Sequence, residues 1–335
     1  MPELRQNIAT KDWVVIATER AKRPDDFKYL KLKKAPLQQY DAKCPFCPGN
    51  ECLTDEKPIY QIFNGKNWQV KVLFNKFPAL SHEGQRVRSF HGLNRKITGI
   101  GFHEVIVEHP LHNTTLALLS TKEINFVLQA YKERYRSITQ DLRIEHIVIF
   151  KNHGKAAGTS LIHPHSQIVG LPVVPTYIRY KIDEARSYFD DNLECVFCRM
   201  IEDELNEKIR IIWESQYFVA FIPYAAFSPF HIWIFPKRHY PSFGDISNKE
   251  TDDLAIMLKV VLAKLYHGLD DPDYNYVIKS IPTDNRRVDY FHWYISIVPR
   301  ISEIAGFEMG TGMYINTVIP EESAAFLKKI EINID

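Results

Sequence analysis

The stretch His163-Pro164-His165-Ser166-Gln167 sets two imidazoles and an amide at alternate positions, directly after Asn152-His153-Gly154-Lys155-Ala156-Ala157-Gly158-Thr159-Ser160. Side chains of a strand alternate between its faces, so His163, His165 and Gln167 are expected on one wall. Pro164 cannot donate to a ladder, which predicts an edge or end-of-sheet position. The upstream glycines and hydroxyls supply backbone N–H groups and short donors, the materials of an anion-binding nest. A strand histidine is more often a packed structural residue. Two of them alternating with a glutamine behind a Gly/Ser loop point instead to phosphate chemistry.

Two Cys-x-x-Cys pairs stand in matching contexts, Cys44-Pro45-Phe46-Cys47 and Cys195-Val196-Phe197-Cys198. Each is followed by a histidine after a strand and another on a later strand. Each half can therefore supply a tetrahedral set of two sulfurs and two nitrogens, the donors of structural zinc. The first set is Cys44, Cys47, His112 and His163; the second is Cys195, Cys198, His239 and His292. The alternative is a pair of buried free thiols in each half. Cys52 belongs to neither set. A metal on His163 would anchor the strand bearing His165, and a fixed imidazole is what a nucleophile needs. The second half has Tyr294 and Ser296 in the places of His165 and Gln167, so one half alone is equipped for the reaction.

These residues need elements to hold them. Strand patterns occur at 13–17, 68–74, 101–108, 147–150 and 162–170, with a helix opening at Ser120 or Thr121 that sends Ile124, Val127, Leu128, Tyr131 and Tyr135 to one face. The second half repeats the order, with strands at 211–213, 218–222, 230–235, 276–279 and 290–298. Its helix, from about Lys249 to His267, carries Leu254, Met257, Leu258, Val261 and Leu265 on one side. Residues 28–41 read as a Lys-rich loop and Leu171–Pro175 as the link between halves. The expected fold is α+β, two tandem duplicated units with mainly antiparallel sheets and packed helices: a catalytic unit at 1–175 and a unit lacking the nucleophile at 176–335.

The chain has 335 residues, 45% of them hydrophobic and 13% aromatic, enough for real cores. A net charge of +1 gives no basic field for nucleic acid, and no apolar run reaches membrane-spanning length. The polar N-terminal stretch lacks a signal-peptide core, which predicts a cytoplasmic protein with reduced cysteines.

The chain resembles the galactose-1-phosphate uridylyltransferase family, a tandem of the histidine-triad fold, including its plant ADP-glucose phosphorylase branch. The residues that carry the likeness are Arg20-Ala21-Lys22-Arg23-Pro24, the first Cys-x-x-Cys, Asn75, His112, Gly158 to Gln167, and the tail from Ala305 to Asn316. The resemblance implies double displacement. His165 would attack the α-phosphorus of a nucleotide sugar, expel sugar 1-phosphate, and carry the nucleotide until a second phosphate takes it. Gln167 stands where related hydrolases have a third histidine, and an amide cannot act as an acid to the leaving group, which favours transfer over hydrolysis.

The resemblance also implies Arg20 and Arg23 near the substrate phosphate, Asn75 and Asn152 near the nucleotide, and Ser160 and Gln167 at the phosphoryl group beside Gly158 and Thr159. Glu308 matches a residue near the sugar hydroxyls. Lys76 stands where well-studied bacterial members have Asp, and their second metal site uses Glu and His. The base and the acceptor therefore stay open. The leading expectation is a UDP-glucose:hexose-1-phosphate uridylyltransferase, with sugar 1-phosphate as acceptor. ADP-glucose phosphorylase, with inorganic phosphate as acceptor, a dinucleotide hydrolase and a non-catalytic nucleotide-binding protein are the alternatives. Zinc is expected in both sets, with iron possible in the second, and the family's usual assembly is a homodimer.

Overall fold

The computed structural model describes residues 1–17, 37–54, 57–284 and 288–334. Arg20, Arg23 and most of the Lys-rich segment lie outside the described residues. In chain order the elements are β1 (Glu3–Gln6), β2 (Trp13–Ile16), β3 (Tyr60–Asn64), β4 (Asn67–Phe74), the hairpin β5 (Arg88–His91) and β6 (Asn94–Ile97), β7 (Phe102–Val107), α1 (Thr121–Ile138), β8 (His146–His153) and β9 (His165–Leu171). There follow α2 (Thr176–Asn192), α3 (Val196–Glu207), β10 (Ile211–Glu214), β11 (Phe218–Phe221), β12 (Ile232–Pro236), α4 (Asn248–Leu269), β13 (Tyr274–Lys279), β14 (Tyr294–Pro299), α5 (Gly306–Thr311), β15 (Tyr314–Asn316) and α6 (Pro320–Lys329).

Ten strands form one antiparallel sheet in the order β10-β11-β12-β14-β13-β8-β9-β7-β4-β3. Read outward from the β8–β13 seam, each side has the same succession: β8, β9, β7, β4, β3 on one and β13, β14, β12, β11, β10 on the other. The sheet is thus two copies of one five-stranded unit joined edge to edge, the tandem duplicated, mainly antiparallel α+β arrangement expected. Asn275 pairs with Asn152 across the seam, which satisfies two edges that would otherwise template aggregation. Strands β1, β2 and β15 form a separate sheet that ties the tail to the N-terminus.

Helices α1 and α4 cover one face of the large sheet, packing on Ile149, Ile168, Tyr276, Ile278, Ile234 and Ile295. Both start with a full capping box, Ser120 with Glu123 and Ser247 with Glu250, which satisfies N–H groups that a helix leaves unpaired. The expected apolar residues of α1 are all buried. Each fully buried Leu, Ile or Val contributes roughly 1.5–3 kcal/mol. Helix α4 departs from its one-sided reading, because Val260, Leu262 and Ala263 are buried as well. Lys259 and Lys264 lie among them and reach backbone carbonyls with their ammonium groups.

The opposite face is treated differently in the two halves. Over the second half, Ile182 and Ala185 of α2 and Val196, Phe197 and Ile201 of α3 pack on Val219, Phe221, Trp233, Phe235 and Tyr294. Over the first half, that face bears the cavity described below.

Candidate active site and metal clusters

Strand β9 is interior, flanked by β7 and β8, and its ladder starts at His165. Pro164 therefore takes the end-of-sheet option and not the edge: it precedes the ladder, and its carbonyl accepts from Glu108 N–H at 3.0 Å. His165 and Gln167 line a cavity of about 360 Å³ together with Phe46, Asn75, Ser160 and Leu161, a size suited to a small-molecule ligand. His163 does not share this wall. It is fully buried, and its ring belongs to the first cysteine cluster. Phe46 spans the two environments, its ring centroid 6.0 Å from that of His163 and 5.6 Å from that of His165.

His165 Nδ1 lies 2.8 Å from the carbonyl oxygen of His163. A carbonyl only accepts, so Nδ1 carries the proton, and the lone pair of the neutral ring is on Nε2. Burial pushes the His165 pKa below its ordinary value, against the hydrogen bond to His163, and favours that neutral form. Beneath the strand, Lys151 Nζ donates to the His165 carbonyl at 3.1 Å and pairs with Glu108 at 2.5 Å. Tyr131 donates to Glu108 at 3.2 Å, and its hydroxyl also meets that of Tyr276 from the second half.

The Gly/Ser loop departs from the nest expectation. Its N–H groups at 157, 158 and 159 bond to carbonyls within the loop, closing a 3-10 turn over 155–157, and Ala156 N–H donates to Asp273 at 2.7 Å. Gly154 (φ +83°) lies so close over the Asp273 carboxylate that no side chain fits there, and Gly158 (φ +84°) ends the turn in the left-handed region. Thr159 Oγ1 donates to Leu161 O at 3.0 Å. What the loop offers the cavity is Ser160 and Leu161.

Asn152 is held from the second half: Asn275 Nδ2 donates to its Oδ1 at 2.8 Å and to Ala157 O at 2.9 Å. Asn75 reaches the cavity, with Oδ1 accepting from Phe77 N–H at 2.9 Å. Glu308 does not join this group. It caps α5 through Ala305 N–H at 2.9 Å and lines a separate, smaller depression with Arg300 and Tyr314.

The first cluster brings together all four expected residues, Cys44, Cys47, His112 and His163, each buried, with their donor atoms within 4.8 Å of one another. Nδ1 of His112 is 3.5 Å and Nδ1 of His163 3.7 Å from Cys47 Sγ. His163 donates from Nε2 to His109 O at 2.7 Å, which leaves its Nδ1 lone pair for the cluster, the usual outer support of a metal-bound imidazole. Burial pushes the Cys44 thiol up to about 11. A buried sulfur of that kind is made a thiolate by a dication, so the donor set fits a metal.

The second cluster brings together three of its four, Cys195, Cys198 and His239. Cys198 lends Cys195 a hydrogen bond that lowers its pKa to about 5 against the effect of burial, and His239 adds to the lowering. The His292 ring lies beside His239, centroids 5.4 Å apart, the same separation as His112 and His163. Its nitrogens stand outside the three-residue group: Nδ1 lies 3.0 Å from Trp293 O, and Nε2 is buried among the described residues with no partner.

The two halves match in topology but not in what fills the matching positions. Tyr294 and Ser296 of β14 occupy the places of His165 and Gln167, and Phe197 that of Phe46. Tyr294 is packed against Phe235 (4.8 Å between centroids), Trp233 (5.1 Å) and Phe197 (5.8 Å), so side chains fill the space that is a cavity in the first half. His103 of β7, which spacing did not single out, touches two of the cavity's lining residues, Asn75 and Gln167. Its Nε2 lies 2.7 Å from Gln167 Oε1, and His231 Nε2 lies 2.9 Å from Ser296 Oγ at the matching place in the second half.

A duplicated sheet with one open face bearing His165 and Gln167, next to a buried thiol–imidazole cluster, is the framework of a nucleotidyltransferase, the class of the proteins this chain matches. The family model for the galactose-1-phosphate uridyl transferase N-terminal domain matches residues 1–175, and one for a domain of unknown function (DUF4921) matches 116–330. ADP-glucose phosphorylase of Arabidopsis thaliana is 38% identical over 99% of this chain and 93% of its own. Galactose-1-phosphate uridylyltransferase of Thermotoga maritima is 31% identical over the whole of both chains. The crystal structure of the Arabidopsis thaliana ADP-glucose phosphorylase with bound ADP-glucose aligns over 99% of this chain and 100% of its own, with a TM-score of 0.84 and 34% identity. A uridylyltransferase structure aligns over 98% of this chain and 97% of its own, at 0.75 and 27%. The chain belongs to the galactose-1-phosphate uridylyltransferase family.

Proposed function

We propose that the chain transfers a nucleoside monophosphate from a nucleotide sugar to a phosphate acceptor through a nucleotidyl-His165 intermediate, with UDP-glucose as donor and a hexose 1-phosphate as acceptor. The observation that carries it is the Nδ1 bond from His165 to His163 O, which leaves Nε2 as the nucleophilic nitrogen at the cavity wall. His165 Nε2 forms a bond to the α-phosphorus, and the bond from that phosphorus to the bridging oxygen breaks, releasing sugar 1-phosphate. An oxygen of the second phosphate then attacks the same phosphorus, and the N–P bond breaks. The Nδ1 proton stays in place throughout, and the His163 carbonyl offsets the positive charge of the substituted ring. Ser160 and the Gln167 amide donate to phosphoryl oxygens. Asn75 and Asn152 hold the nucleotide beside Gly158 and Thr159, and Arg20 and Arg23 bind phosphate; the sugar contact that resemblance implied for Glu308 is not carried into this cavity, because Glu308 lines a separate depression.

Residues 1–175 form the catalytic half in this reading and 176–335 the half that supports it. Zinc is held by Cys44, Cys47, His112 and His163, and zinc or iron by Cys195, Cys198 and His239 with His292 alongside. A bound metal supplies rigidity to the strand ends and no activated water. Among the described residues no helix is long and apolar enough to cross a membrane. The reading places a homodimer in the cytoplasm, acting on small phosphates and not on nucleic acid or membrane.

A second reading, AMP transfer from ADP-glucose to inorganic phosphate, is favoured by the higher identity to the phosphorylase and by Lys76 at the cavity. Intact-protein mass spectrometry after brief exposure to each donor, with His165→Gly as control, decides between them. A UMP adduct on the parent alone supports the uridylyltransferase and an AMP adduct the phosphorylase. Nucleotide release to water faster than transfer would point to a hydrolase. Tight binding with no adduct would leave a non-catalytic role.

A further inference from the structure

We infer that His103 is a positioning residue: it turns the Gln167 amide so that its NH2 group faces the transferred phosphoryl group, an inference that rests on the role proposed for Gln167. Two hydrogen bonds fix the direction. His103 Nδ1 accepts from Ala79 N–H at 3.1 Å, so in the neutral ring the proton sits on Nε2. Nε2 has two polar groups within reach. Asn75 Nδ2 lies 3.0 Å away, but Asn75 Oδ1 already accepts from Phe77 N–H, so only N–H groups face the ring from that side. The remaining acceptor is Gln167 Oε1 at 2.7 Å. With Oε1 committed to His103, the amide turns its NH2 end to the cavity that Gln167 shares with His165.

The alternative orientation would leave the Nε2 proton with no acceptor, facing N–H groups of both Asn75 and Gln167, and would present a carbonyl oxygen to phosphoryl oxygens. An amide free to rotate would spend part of its time in that repulsive state, and the transition state would lose a preset donor. The comparison within the molecule separates this role from packing. At the equivalent place His231 meets Ser296, both buried, and a serine has a single polar atom to give. The glutamine has a second end, and the cavity is on that side. His103 also links the Ala79 backbone and Asn75, the latter expected beside the nucleotide, to the residue expected at the phosphoryl group.

The test uses the full chain and three substitutions. His103→Leu removes the donor. His103→Gln places an amide N–H near the position of Nε2. His103→Glu supplies an acceptor that would turn the Gln167 amide around. The rate of nucleotidyl-His165 formation, followed by rapid-quench mass spectrometry with UDP-glucose and with ADP-glucose, should fall by roughly 10- to 100-fold in His103→Leu, and further in His103→Glu, within the cost of losing one preset donor. Nucleotide affinity should change little, and His103→Gln should recover most of the rate. In a Gln167→Ala background, His103→Leu should have almost no further effect.

Unaltered rates in His103→Leu, or the same loss with and without Gln167, would overturn the inference. A second readout stands apart from turnover: in protein labelled with ¹⁵N-glutamine, the Gln167 side-chain resonances, identified by their loss in Gln167→Ala, should move in His103→Leu and return in His103→Gln. Resonances indifferent to His103 would show that the pair does not orient the amide. If neither donor gives an adduct on the parent, the functional reading fails, and the spectra still decide the pairing.

Discussion

Phe197 lies 5.8 Å from Tyr294, ring centroid to ring centroid, where Phe46 lies 5.6 Å from His165 in the other half. The same framework is retained twice, open once and packed shut once. Covered by α2 and α3 and filled by Trp233 and Phe235, the second half has a tyrosine at the position of His165 but no room for a nucleotide. Restoring the imidazole should therefore not restore chemistry. In a His165→Gly background, Tyr294→His should give no nucleotide adduct by intact mass with either donor, while the folded protein persists in circular dichroism. A nucleotide adduct in the double variant would show that the filled face opens.

The metal clusters should govern stability before chemistry. The first set is wholly buried and joins the strand end at His163 to the Cys44–Cys47 turn and to His112. His112→Ala removes one of four donors and so weakens the hold on a metal that ties these segments together, and the expected loss is several kcal/mol, of the kind seen when binding energy is folding energy. Metal content by mass spectrometry of elements and Tm by calorimetry check this together. A strong chelator should likewise lower Tm ahead of single-turnover rate. Prompt, reversible loss of rate at constant Tm would mean that the metal acts in the reaction.

Much of this was legible in the residues. The amphipathic face of α1 and its serine cap, the two Cys-x-x-Cys pairs and the repeated order of strands all follow from local pattern, which is where sequence reports directly, whereas α4 is buried on more sides than its pattern showed. The seam between β8 and β13 is a pairing of segments more than a hundred residues apart, and no local pattern encodes it. The interior place of β9 was hidden for the same reason, since Pro164 is equally compatible with an edge and with a strand's end. His103 carried no spacing signal, being one polar residue on an alternating strand. The amides from 156 to 159 went to Asp273 and to the loop itself because Asp273 arrives from the far half, a partner that composition cannot name.

Acid should destabilise the protein through histidines that are buried uncharged. Burial holds His231 down to about 3, with Lys181 and Lys279 adding to the effect, whereas the unfolded chain titrates near 6.5. Above about pH 6.5 both states are neutral and nothing is lost. Below it the unfolded chain takes up a proton that the folded chain refuses until about pH 3, so stability falls by roughly 1.4 kcal/mol per pH unit. His231→Gln retains an amide for Ser296 and removes the titration. Urea unfolding between pH 7 and 5 should give a shallower pH slope for His231→Gln by about that amount. Identical slopes would remove His231 from the account.

Among the described residues of the first half, Glu108 and Lys151 form the most deeply buried ion pair. Both side chains are almost entirely excluded from water, 2.5 Å apart, and Lys151 also donates to the carbonyl of His165. Removing one charge leaves the other uncompensated, which typically costs roughly 3–5 kcal/mol, while replacing both with apolar groups of similar volume is far milder. Lys151→Met should therefore lose several kcal/mol in urea unfolding, and Glu108→Leu with Lys151→Met should recover most of it. The rate of nucleotidyl-His165 formation should behave differently. Both variants lack the ammonium that holds the His165 carbonyl, so the double variant should regain stability without regaining rate. Recovery of both together would mean that Lys151 serves the fold alone.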